Sequence, residues 1–68
     1  MKKHERARIL AIVVSTHLYS DRPIPDRLNA INLQWTEHGR LPTDKEVTWL
    51  KHQIDPRAYP ELFGGGGG

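Results

Sequence analysis

Cysteine is absent from all 68 residues. Its absence excludes a disulfide framework and any thiolate metal site, and it fits an intracellular chain. Glycine is nearly confined to the terminal run at 64–68, leaving Gly39 alone in the body of the chain. No glycine-rich phosphate loop therefore precedes a helix. Long hydrophobic runs are lacking too. The longest aliphatic stretch, residues 9–14, is far too short to span a bilayer. It follows Lys2 and Lys3, yet it falls below the apolar core length of a secretion signal, and Thr16-His17 interrupts it. The expectation is a cytoplasmic chain with no membrane association.

The five glycines at 64–68 carry no side chains and have high backbone entropy. They read as a linker or an appended tail, which leaves 1–63 as a single helical domain. A domain of about 60 residues buries roughly 60% of its unfolded surface and is marginally stable. With so little chain, enclosing a pocket of several hundred Å³ is difficult.

What the sequence does contain is a nearly balanced charge, +2 overall, unevenly placed. Within residues 1–8, Lys2, Lys3, Arg6 and Arg8 face only Glu5, a net +3, while the remainder carries six basic against seven acidic residues, a net −1. The basic character is that of an N-terminal arm, whose Lys2, Lys3, Arg6 and Arg8 are candidates for contact with phosphates or an acidic surface.

Three helices are predicted, at about 4–19, 25–38 and 43–54. The first has no internal breaker, although the β-branched residues at 9–14 are also compatible with a strand. Ser20-Asp21-Arg22-Pro23 ends it. The second begins at Pro25 or Asp26, carries Leu28, Ile31 and Trp35 at i, i+3 and i+7, and stops at Gly39. The third opens on Thr43-Asp44-Lys45-Glu46, a capping box in which side chain and backbone of Thr43 and Glu46 exchange hydrogen bonds. Val47, Leu50 and Ile54 form its apolar stripe, and Asp55-Pro56 ends it. The Pro-rich tail to Phe63 is expected to fold back over the helices. The fold class is thus all-α, a small three-helix domain with a packed C-terminal tail. Its expected core is Ile9, Ile12, Val13, Leu28, Ile31, Trp35, Val47, Leu50 and Ile54.

Candidate chemistry is thin. His4, His17, His38 and His52 show no metal-ligand spacing, and no serine or threonine sits in a nucleophile elbow. Most carboxylates sit at helix ends, where capping explains them. The chain is expected to be no enzyme, with neither cofactor nor metal.

Gly39-Arg40-Leu41-Pro42-Thr43-Asp44-Lys45-Glu46-Val47 resembles the Gly-x-x-Leu-Pro-Ser-x-x-x-Leu lead-in to the helix-turn-helix of GntR-type bacterial repressors, over about nine residues. The resemblance implies a DNA-reading module in which a recognition helix follows. Here Asp55-Pro56 and a short tail follow instead, so such a module would be incomplete.

Five aliphatics among residues 9–14 point around most of a helix, more than a three-helix domain covers. An exposed apolar patch would mark an interaction site. Trp49 points roughly 100° away from Leu50, and tryptophan, tyrosine and arginine are enriched among interface anchors. The candidate protein-binding residues are Tyr19, Arg22, Arg27, Trp49, Arg57 and Tyr59. The expected function is regulation by protein–protein binding. Small cysteine-free binding chains are common among phage-encoded regulators of host transcription, which makes bacterial RNA polymerase the expected partner on class alone, with no residue match behind it. The alternative is a DNA-binding module of incomplete helix-turn-helix type.

Overall fold

Residues 9–14, whose side chains suit a strand as well as a helix, lie inside helix α1 (Lys3–Tyr19) in a computed structural model that describes residues 2–63. Helices α2 (Asp26–His38) and α3 (Asp44–Lys51) follow, and the short 3-10 helix Pro60–Phe63 closes the described chain. No strand occurs among the described residues, so the chain is all-α. The glycines at 64–68 lie outside the described residues.

Each helix end has a physical cause. At the end of α1, the Arg22 N–H donates to the His17 carbonyl at 3.0 Å and the Asp21 N–H to the Leu18 carbonyl at 3.2 Å. These are the paired bonds of a Schellman cap. Asp21 takes the left-handed position, with φ 53°, where glycine is usual and aspartate is one of the few tolerated alternatives. Helix α2 ends on Gly39, also left-handed at φ 63°, whose N–H donates to the Trp35 carbonyl. Helix α3 starts on the capping box: the Glu46 N–H donates to Thr43 Oγ1 at 3.3 Å, and the Thr43 N–H to Glu46 Oε1 at 2.9 Å.

The third helix stops three residues before the predicted end. The N–H groups of His52, Gln53 and Ile54 donate to carbonyls three residues back, at 3.2, 2.9 and 3.1 Å. The last turn is therefore tightened ahead of Asp55-Pro56. It still delivers Ile54 to the interior.

The core comprises Ile9, Leu10, Val13, Leu28, Ile31, Val47, Leu50 and Ile54. Two expected members depart from it. Ile12 is half-buried at its edge, and Trp35 is exposed to 37%. On α1 the buried positions are Ile9, Leu10, Val13 and His17, so the stripe takes Leu10 in place of Ile12 and runs on to His17. Trp35 does lie on the inward face of α2, four residues after Ile31. However, every α2 residue from Leu33 to His38 is exposed, so that face outruns the neighbouring helices.

The molecule measures 16 Å across its shortest axis. Helix axes pack about 8–10 Å apart, so this thickness holds two layers, and each helix keeps one face toward solvent. Tyr59, Trp49, Leu62, Ile24, Ile12 and Val14 are half-buried around the core. The Pro-rich tail is thus packed through Tyr59 and Leu62.

Candidate protein-interaction surface

The outward face of α1 carries Ala11, Ser15, Leu18 and Tyr19, all exposed and clustered by the helical repeat opposite the buried stripe. Leu18 is 64% and Tyr19 92% exposed. Together with Ser15 they line an open depression of about 360 Å³. Leu18 was absent from the sequence-based candidates. The over-rich aliphatic block pointed to a patch on this helix, but the patch lies a turn beyond that block, because residues 9, 10 and 13 supply the core.

Arg22 follows in the turn after α1, exposed and in no salt bridge among the described residues. It shares the end of α1 with Tyr19. The other candidates sit elsewhere. Arg27, on the first turn of α2, places its guanidinium carbon 4.8 Å from the centroid of the half-buried Trp49 ring on α3. This cation–π contact ties two helices together and covers part of Trp49. Tyr59 is half-buried on the core. Arg57 is exposed, and its backbone N–H donates to Asp55 Oδ1 at 2.9 Å, which fixes the turn after α3. The six protein-binding candidates thus fall into two sets: Tyr19 with Arg22 at the end of α1, and Arg27, Trp49, Arg57 and Tyr59 on and after α2 and α3.

The basic cluster is built into structure rather than left as a free arm. Lys2 caps α1 and Lys3 begins it, both exposed. Arg6 donates to the Pro42 carbonyl at 2.8 Å and pairs with the Asp44 carboxylate. Arg8 pairs with Glu61 at 2.8 Å. Asp44 is held below the ordinary aspartate range by the hydrogen bond from Arg6 and then by its charge. Glu61 is lowered chiefly by its own backbone N–H; desolvation opposes this, and the hydrogen bond and charge of Arg8 add to the lowering.

His17 is buried against the α1 stripe, with Nδ1 3.0 Å from the Val13 carbonyl, so this ring nitrogen carries the proton and donates. Among the described residues, no group of three or more His, Asp or Glu side chains is placed to hold a metal ion. Nor is any described helix long and apolar enough to cross a membrane. After α3 the described chain offers only the four-residue 3-10 helix, so no helix stands where the recognition helix of the GntR-type resemblance would follow.

No protein-family model, curated protein or solved structure matches this chain.

Proposed function

We propose that this chain is a small non-enzymatic regulator that acts by binding another protein, through the end of α1. The observation that carries the reading is the exposed pair Leu18 and Tyr19 beside Arg22, which is in no salt bridge among the described residues. An aromatic ring, an aliphatic side chain and an arginine at one helix end form the kind of cluster that anchors protein interfaces. In the class-based form of the proposal the chain works in the bacterial cytoplasm as a phage-type transcription regulator, with RNA polymerase as its partner.

The DNA-binding alternative is weakened by the commitments of Arg6 and Arg8. With both paired to carboxylates, Lys2 and Lys3 remain from the N-terminal cluster, enough for a salt slope of about −1.8 and little sequence discrimination.

The test is a pull-down from bacterial lysate with mass spectrometry, run with the native chain and with a Leu18→Ser/Tyr19→Ser variant. The expected result is a retained protein, RNA polymerase in the specific form, that the variant no longer holds. Truncating a true anchor weakens binding by about 2 kcal/mol or more. Nanomolar, sequence-specific DNA binding in a mobility-shift assay, with no protein retained, sinks the proposal.

A further inference from the structure

Beyond Ile54, the segment 55–63 is attached to the body through side chains alone. Its backbone hydrogen bonds are all internal: the Ala58 and Tyr59 N–H groups donate to the Asp55 carbonyl, and the Leu62 N–H to the Tyr59 carbonyl. What touches the helices is Tyr59, packed against the core, and then a run of three consecutive side chains. The Glu61 carboxylate meets Arg8 of α1 at 2.8 Å, Leu62 packs on the core, and the Phe63 ring lies 5.9 Å from the Lys51 ammonium of α3. Beneath them a cleft of about 210 Å³ remains, lined by Glu5, Arg8 and Ile9 of α1, Lys51 of α3, and Glu61 and Leu62 of the strap itself. A segment without backbone bonds to the rest of the fold opens at low cost while that fold persists.

We propose that the cleft between α1 and α3 is a docking groove for a short segment of a partner protein carrying a carboxylate, a leucine-sized aliphatic and an aromatic ring in succession, and that residues 59–63 hold it shut in the free molecule. This rests on the protein-binding reading above and adds a second contact surface with a stated chemistry. The argument is charge and shape complementarity. The helices line the groove with a cation on each side, Arg8 and Lys51, and the single carboxylate of Glu5, a net +1, over an aliphatic floor at Ile9. The strap already displays the matching pattern, Glu61-Leu62-Phe63, and fills the groove incompletely. Its ion pair is half solvent-exposed, with side-chain exposures of 51% and 49%, and exposed pairs hold weakly. A partner segment with the same pattern and more contacts displaces the strap without disturbing the three helices.

The experiment uses the full isotope-labelled chain and, as probe, a synthetic peptide of residues 55–63. A Glu61→Arg/Leu62→Ser variant removes two of the strap's grips and leaves Tyr59 and Phe63. Its Val13 and Leu50 amides should stay protected while the residue-62 resonances move to random-coil positions. The peptide should then shift the Ile9 methyl and Lys51 amide signals saturably, at concentrations on the order of millimolar and about tenfold more tightly than in the native chain, where the tethered strap competes. Adding Arg8→Glu should abolish the effect. Should the double variant unfold, Glu61→Arg alone carries the same comparison. A peptide that leaves Ile9 and Lys51 unshifted overturns the proposal, as does a strap that melts only with the helices. Sedimentation showing a dimer that exchanges straps also overturns it, assigning the groove to a second copy. A partner retained from lysate alongside a silent peptide titration removes the groove and keeps the binding function; the converse removes the function and keeps the groove.

Discussion

Thr43 and Gly39 show how much of this small domain depends on single backbone solutions. Replacing Thr43 by Ala removes the acceptor for the Glu46 N–H and leaves only the backbone half of the capping box, the residue-43 N–H donating to Glu46. The expected cost is about 1 kcal/mol. For a domain of this size that lowers the thermal midpoint by about 4–8 °C, read from a melting curve, and an unchanged curve would remove the cap from the account of α3. Gly39 isolates a different quantity. A Cβ built there meets nothing within 4 Å, so Gly39→Ala has no steric clash and its cost is the left-handed backbone itself, about 1 kcal/mol. Gly39→Asn should recover part of it, since asparagine tolerates that region. Equal denaturation midpoints for Ala and Asn would show that the conformation is not what Gly39 supplies.

At the scale of elements, the tie between α1 and α3 is Arg6, which reaches the Pro42 carbonyl and the Asp44 carboxylate just before and just inside α3. Because Asp44 titrates below its ordinary range when folded, its contribution is complete above the unfolded value and is lost as pH falls through the lower folded one. Thermal midpoints measured between pH 7 and pH 2 should therefore fall below about pH 4. The curve of an Arg6→Ala variant should start lower and approach it there, the bond to the Pro42 carbonyl keeping a residual gap. Parallel curves would show that the Arg6 bond to Asp44 contributes nothing that protons can remove.

The elements were largely legible in the sequence, because their signals were local: a capping box, a helix-stopping glycine, prolines at the turns. Which face of α1 turns inward was not. Aliphatics at 9, 10, 12, 13 and 14 fit several stripes equally well, and only contact with α2 and α3 selects Leu10 over Ile12. Trp35 was misplaced for a related reason. Periodicity identifies the inward face of α2 but says nothing of where its neighbours end. Of the proposed surface, the sequence singles out Tyr19 and Arg22, which lie exposed at the end of α1, whereas Leu18 read as one more residue of an apolar helix. The commitments of Arg6 and Arg8 were hidden because their partners lie 38 and 53 residues away.

For the molecule as a whole, two layers of helix leave a core of eight of the described residues and little margin. Leu50, fully buried at their centre, is expected to cost about 2–5 kcal/mol when cut to alanine. In a domain this small that is most of the available stability, so circular dichroism should show Leu50→Ala largely unfolded at room temperature. A cooperative transition with a midpoint near that of the native chain would mean that the core is not the dominant support. By contrast, Leu18→Ser/Tyr19→Ser, on the solvent face, should leave the melting curve within a few degrees, which separates interface from core. The pairing of Arg8 with Glu61 has one more consequence. Arg8 lies five residues into α1, about 7.5 Å along the helix axis, and Glu61 is two residues from the end of the described chain, so the first and last segments meet on one side of the molecule. Connectivity is then separable from fold. A circular permutant that joins residue 63 to residue 2 through a few glycines and opens the chain between Arg22 and Pro23 should keep the helical spectrum and most of the stability.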